Sequence, residues 1–259
     1  MTTRIAGTGW CCALLVAAAL LFTGTKTQAQ SADAAPSSCG ESPTVRAIAR
    51  ETAQNFGRLA TPPTLGLMAM GSIAAASAHT VDGGVSREFS GMNLNNAFQP
   101  GAVIGSTAFQ LGTSIGAYAI GRASGHPCVA RVAADLMQAQ IMGEALTAIF
   151  KQTTQRSRPE GSGYSFPSGH TTVTFASATV LQRHFGWKIG LPAYAVASYV
   201  AASRVEMKKH YLSDVAFGAA LGIAAGRTIP IGNGRRLLIS PMAAPSGAGA
   251  SFTLLGSEK

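Results

Sequence analysis

Lys151, Arg158, Ser168, Gly169, His170, Arg204, His210 and Asp214 all fall within 64 residues of a 259-residue chain. Three cations, two histidines and one carboxylate suit a tetrahedral oxyanion, and phosphate is the common one in cells. A guanidinium offers a planar fork to two oxygens and an ammonium acts as a point charge. An imidazole can attack phosphorus or carry a proton. The chemistry these types would do together is phosphoryl transfer or hydrolysis.

His210 and Asp214 are four residues apart at the start of a helical pattern, which predicts that they share one face about a turn apart. The carboxylate would then accept the imidazole Nδ1–H and leave the other nitrogen free to attack. Pro167-Ser168-Gly169-His170 stands where a loop gives way to a helix. Ser168 reads as the N-cap, with backbone N–H groups beyond it suited to an anion. Gly169 permits close approach of a ligand, and His170 is placed to protonate a departing oxygen. Lys151 and Arg158 flank a short loop that Pro159 stiffens. Each piece alone has an ordinary reading: a surface His–Asp pair, a serine cap, a solvated basic loop. Their joint occurrence is what points to a site. Arg156 is read as solvated, and His79 with Asp82 as a pair at the edge of a Gly-rich loop. His126 is read as a loop residue, and His184 as a cation suited to a helix end.

The elements that must position these residues are helical. Helical spacing runs over 44–57, 64–79, 130–150, 170–185, 189–205 and 210–227, and Pro62-Pro63 separates the first two. Residues 101–121 are free of charge, whereas 82–100 read as a loop because of their glycines, asparagines and Pro100. Residues 151–169 form a second loop, rich in Gly, Pro, Ser and Arg. The fold class is all-α, a single-domain helical bundle of six or more helices over 44–231 with the site at helix ends and the 151–169 loop. Residues 237–239 and 251–255, in the Gly/Ala/Ser/Pro-rich tail 232–259, are either short strands or disordered.

Residues 1–29 read as a signal peptide: Arg4, then an uncharged apolar run from Trp10 to Phe22, then a small residue, Ala29, before the cut. A later cut near Ala34 and an uncleaved anchor are the alternatives, and 30–43 reads as a flexible arm. Cleavage after Ala29 removes Arg4 and Lys26 and no acid, taking formal charge from +9 to +7. The chain is therefore expected to be exported, periplasmic or associated with the cell membrane. Its basic residues are scattered and not interleaved with aromatics, which argues against nucleic acid. Only 12% of residues are charged, about half the usual share, so helices are buried on several sides or lie near lipid. The charge-free windows beside the motifs are shorter than the ~20 residues of a spanning helix, which favours a soluble or surface-associated bundle over an integral one. Cys39 and Cys128 would remain in the mature chain, and the sequence leaves open whether they pair.

Lys151-x6-Arg158-Pro159, Pro167-Ser168-Gly169-His170 and Ser203-Arg204-x5-His210-x3-Asp214 resemble the three signature motifs of the type 2 phosphatidic acid phosphatase superfamily. That group includes lipid phosphate phosphatases, bacterial non-specific acid phosphatases and vanadium-dependent haloperoxidases. The resemblance covers residues 151–214, about a quarter of the chain. It implies hydrolysis of phosphomonoesters or pyrophosphates through a phosphohistidine, with no metal and no cofactor. His210 would be the nucleophile, Asp214 would orient it, and His170 would serve as acid and then base. Lys151, Arg158, Ser168, Gly169 and Arg204 would hold the phosphate. The implied partner is a phosphorylated lipid or a small phosphate ester, with association at a membrane surface. The alternative is a vanadium-dependent haloperoxidase; Asp214 and the short chain favour the phosphatase.

Overall fold

The computed structural model describes residues 41–91, 95–231, 236–244 and 247–255. The proposed signal peptide and nearly all of the arm lie outside these residues. Among the described residues the chain forms nine α-helices: α1 Val45–Gly57, α2 Pro62–His79, α3 Asp82–Gly91, α4 Asn95–Ile104, α5 Thr107–Ala123, α6 Pro127–Thr154, α7 Gly169–Phe185, α8 Trp187–Glu206 and α9 Leu212–Thr228. An antiparallel hairpin follows, β1 Arg236–Ala244 with β2 Gly247–Leu255, Arg236 opposite Leu255. The all-α expectation holds for the bundle, and the tail segments read as strands or disorder are strands.

Local chemistry sets the boundaries. Thr44 caps α1 by accepting the Ala47 N–H, and Ser106 caps α5 by accepting from Phe109. Pro62 and Pro63 do not merely end the first helix; they form the first turn of α2, where a missing N–H costs nothing. Ser106 also divides the charge-free run 101–121 between two helices. The expected loop over 82–100 is corrected: it holds α3 and most of α4, with Pro100 inside the latter. Tertiary anchoring overrides the local breakers there. Val85 packs with Val205 and Val215, and the Tyr199 hydroxyl donates to the Ala97 carbonyl.

Helix α9 lies against α7, α2 and α6, and α7 also packs on α8 and α6. Ala139 and Met142 of α6, Ala176 and Val180 of α7, and Ala225 and Ile229 form the shared core. Small residues let backbones touch. A Cβ at Gly218 would meet the Ser168 carbonyl at 2.8 Å, one at Gly222 the Thr172 carbonyl at 2.3 Å, and one at Gly226 the Thr179 Cβ at 2.7 Å. This i, i+4, i+8 stripe lets the N-termini of α7 and α9 lie side by side, and the Ser168 N–H donates to the Asp214 carbonyl at 3.1 Å. Cys128, near the start of α6, is disulfide-bonded; its suggested partner Cys39 lies outside the described residues.

The outer faces are apolar. Leu65, Met70, Ile73, Val103, Ile115, Ile120, Ile149 and Leu191 are each more than half exposed. Helices α2 and α4 carry no Asp, Glu, Lys or Arg, α5 carries only Arg122, and α8 carries none between Lys188 and Arg204. No single described helix is long and apolar enough to cross a membrane. The segments Val45–Ala60 and Pro62–His79, bent by 69°, pass that test as a pair.

The glycine stripe generates a prediction. Gly222→Ala forces α7 and α9 apart and is expected to destabilise the protein by about 1–3 kcal/mol, seen as a lower Tm. Gly112→Ala on α5, where nothing lies within 4 Å, is the control and should raise Tm slightly through helix propensity. Equal Tm changes in the two variants would contradict the close approach.

Candidate active site

The site sits where α6 and α8 end and α7 and α9 begin. Helix α6 closes on Gln155 in the left-handed region (φ 47°), which turns the chain into the loop that carries Arg156 and Arg158. Lys151, in the last turn of α6, donates from Nζ to the Tyr164 carbonyl at 3.0 Å, and Arg158 Nε donates to the same carbonyl at 3.3 Å. One loop oxygen thus holds two cations close together. Arg204, in the last turn of α8, is buried; its Nε has no hydrogen-bond partner among the described residues, and an Nη lies 3.7 Å from Met207 Sδ. The His210 N–H donates to the Arg204 carbonyl at 3.1 Å, so the end of α8 fixes the backbone that presents His210.

These groups act on one another electrostatically. Burial, with Arg158 next, brings the Lys151 ammonium down to about 8. Burial, then the charges of Arg204 and His210, brings His170 down to about 4, against a hydrogen bond with the Ala102 backbone. Burial also lowers His210, with Lys151 and Arg158 adding to the shift and Asp214 opposing it. Arg204 is lowered by burial and by Arg158. The structure therefore brings Lys151, Arg158, His170, Arg204, His210 and Asp214 together. Both imidazoles are neutral at neutral pH, and the cations sit where a polyanion would relieve their repulsion.

The Ser168 expectation is revised in part. Ser168 occupies the N-cap position of α7, but its hydroxyl accepts from Thr171 Oγ1 at 3.0 Å and caps no backbone N–H. At Gly169 the protein's own packing leaves room for a side chain, and the expected role of this residue concerns a ligand instead. A Cβ there would make only ordinary contacts, the nearest Glu144 Oε1 at 3.4 Å.

His210 and Asp214 do not share a helix face. His210 precedes α9, and Asp214 is its third residue, with Oδ2 accepting the Tyr211 N–H at 2.8 Å in a capping box. A carboxylate at this position folds back on the helix terminus because the first-turn N–H groups need acceptors. His210 Nδ1 therefore lies 3.7 Å from Asp214 Oδ2, beyond hydrogen-bond reach, and has no other partner among the described residues.

Sequence reasoning missed the residues around Asp214. Arg156 is not solvated. It donates from one nitrogen to Asp214 Oδ1 and Ser213 Oγ, and from the other to Asp82 Oδ2, each at 2.7 Å. Its guanidinium lies 4.1 Å from the centre of the Tyr211 ring. Asp82 also accepts the Ser213 N–H and hydroxyl, and pairs with His79 at 3.1 Å. Burial opposes charge on Asp82, yet the bonds from Arg156 and Ser213 hold it below its ordinary range. Spacing gave no signal here, since Asp82 is 74 residues from Arg156. His184, read as a dipole partner, pairs instead with buried Asp135 at 2.9 Å. Among the described residues no group of three or more His, Cys, Asp and Glu side chains is placed to hold a metal ion.

Against known proteins, residues 144–236 match the PAP2 superfamily model. The chain is 38% identical over 96 residues to a lipid A 1-phosphatase from Porphyromonas gingivalis, covering 36% of this chain and 21% of that protein. It is 35% identical over 106 residues to a decaprenylphosphoryl-5-phosphoribose phosphatase from Mycobacterium tuberculosis, covering 37% and 58%. The chain thus spans less than two thirds of either relative. In fold it is similar to a transmembrane PAP2-type phosphatidylglycerolphosphate phosphatase from Bacillus subtilis, with TM-score 0.56, 21% identity, and 64% and 92% of the two chains covered. It is also similar to LpxE of Aquifex aeolicus, with TM-score 0.50, 22% identity, and 57% and 93% covered.

The lowered Lys151 pKa gives a second prediction. Below about pH 8 Lys151 is a cation, and above it the charge is lost. Affinity for sulfate, a tetrahedral dianion across this range, should fall as pH rises through about 8 in calorimetric titration. Lys151→Arg, whose guanidinium stays charged, should move that fall upward by about one pH unit or more. An unmoved fall would assign it to another group.

Proposed function

We propose that the protein is an exported, membrane-associated phosphatase that hydrolyses lipid phosphates through a phosphohistidine at His210, without a metal. The observation that carries this reading is the gathering of Lys151, Arg158, Arg204 and His170 around buried His210. The Arg204 carbonyl accepts the His210 N–H; after burial, Lys151 and Arg158 lower the His210 pKa, and Arg204 and Arg158 lower that of His170. Phosphoryl transfer needs positioning and charge stabilisation more than covalent chemistry from the protein. Three cations can supply the stabilisation that Mg²⁺ supplies elsewhere.

In the first step neutral His210 attacks phosphorus, forming a P–N bond as the bond to the leaving oxygen breaks. His170 gives that oxygen its proton. Its pKa of about 4 in the free site rises when the negative substrate offsets Arg204 and Arg158, so substrate binding itself prepares the acid. In the second step neutral His170 takes a proton from water, whose oxygen attacks phosphorus and breaks the P–N bond. Inorganic phosphate leaves and His210 is regenerated. Lys151, Arg158, Arg204, Ser168 and the Gly169 N–H hold the equatorial oxygens. Asp214 stabilises the His210 imidazolium character that develops during attack.

The substrate class rests on the outer surface. Soluble monomers rarely expose contiguous apolar surface beyond a few hundred Å², and here α2, α4, α5 and α8 present mostly uncharged faces with large side chains exposed. Those faces suit acyl chains. The lipid A 1-phosphatase and the decaprenylphosphoryl-5-phosphoribose phosphatase that the chain resembles are phosphatases whose names specify lipid-linked phosphates.

The test is phosphate release in EDTA by residues 30–259, offered phosphatidate, a polyprenyl diphosphate or p-nitrophenyl phosphate in mixed micelles. Release from the lipids should survive EDTA, and His210→Ala should lower it by about 10³-fold or more. Loss of activity in EDTA, restored by a divalent cation, would overturn the metal-free mechanism. Preference for p-nitrophenyl phosphate over both lipids would overturn the substrate class.

A further inference from the structure

We propose that Arg156 is a positioning residue for phosphoryl transfer, acting through Asp214; this rests on the reading of His210 as nucleophile. The guanidinium is shared between two buried carboxylates. One face of the fork fixes Asp214 Oδ1 and Ser213 Oγ, the other fixes Asp82 Oδ2, and the plane rests on the Tyr211 ring. Asp214 is fully buried and Asp82 nearly so.

Asp214 Oδ1 is therefore committed to Arg156 and Oδ2 to the Tyr211 N–H, and the carboxylate plane is set by both. The oxygen that faces His210 Nδ1, at 3.7 Å, is Oδ2. With both carboxylate oxygens committed, closing this gap falls to the imidazole. Arg156 thus performs two jobs at a distance from substrate. It fixes the aim of Asp214, and it shares the negative charge that Asp214 would otherwise present in full to His210. The second job keeps the His210 imidazole neutral, the form that attacks.

Asp82 completes the arrangement by balancing the charge of Arg156. It also holds Ser213, next to Asp214, through two hydrogen bonds. The start of α3 and the start of α9 are thereby joined through one guanidinium. The titratable and charged groups around it are His79 and Asp82 from the α2–α3 corner and Asp214 of α9. The charged groups that act on His210 are Asp214, Lys151 and Arg158. A cavity of about 240 Å³ lined by Arg156, His79, Ser213, Phe166 and Phe217 lies beside the cluster, so a shortened side chain at 156 can be solvated rather than collapse the core.

The test compares wild type with Arg156→Gln, Arg156→Lys, the charge-balanced double variant Asp82→Asn/Arg156→Gln, and His210→Ala. Steady-state kinetics on the preferred phosphate ester are measured across pH, with folding checked by circular dichroism. In Arg156→Gln, kcat should fall about tenfold or more while KM stays within about twofold, because Arg156 touches no substrate. The acid limb of kcat/KM should move to higher pH, because Asp214 then favours the His210 imidazolium. The double variant should show the same kcat loss and limb shift with native circular dichroism, which separates positioning from folding. Arg156→Lys should recover part of kcat, since charge returns without the fork. Folded Arg156→Gln or double variant with wild-type kcat and limb, beside an inactive His210→Ala, would overturn the role of Arg156 alone. Wild-type turnover in His210→Ala would instead overturn the phosphohistidine reading and this proposal with it.

Discussion

The mutual repulsion of Lys151, Arg158 and Arg204, enclosed at one end of a helical bundle, is the constraint on which the structure depends. Burial and the nearness of Arg158 disfavour the charges of Lys151 and Arg204 and lower their pKa values. Such a cluster persists only if the surrounding fold holds it rigidly. The fold does so with backbone. Two cations lean on the Tyr164 carbonyl, the end of α8 holds the His210 N–H, and the Asp214 carbonyl accepts from Ser168. The stored repulsion is what a tetrahedral dianion relieves, so affinity for charge is set before any ligand arrives.

Backbone holding requires helices to approach closely, which explains the composition of the bundle's centre. Gly218, Gly222 and Gly226 place the backbone of α9 against Ser168, Thr172 and Thr179. Ala139, Ala176 and Ala225 fill the remaining space with little volume. The core therefore draws on contact between backbones more than on large side chains, and larger apolar residues are displaced outward onto α2, α5 and α8. An interior built this way and an apolar outer surface are two consequences of one packing solution.

Much of the site was legible in the sequence because its chemistry demands particular types. Only Arg and Lys can face phosphate oxygens as fixed cations, and only His can attack and shuttle protons near neutrality. Those residues sit at helix ends whose Pro, Ser and Gly signals survive in one dimension. The arrangement of Asp214 was not legible, because helical spacing treats His210 and Asp214 as neighbours on a face. The capping preference of the first turn turns the carboxylate back toward Tyr211 instead. Arg156 was misread since nothing local marks its partners, and Asp82 lies in a stretch whose glycines suggested a loop. Helix α3 forms there because Val85 and Asp82 are anchored by α8 and α9, a tertiary effect that propensity cannot report.

Rapid acid-free quenching during turnover, followed by mass spectrometry of the intact protein and its peptides, tests the central claim most directly. The account predicts a covalent phosphate on His210 that is stable in base, labile in acid, and absent in His210→Ala. Phosphate found on another side chain, or no covalent phosphate in a protein turning over fast enough to accumulate one, would contradict it.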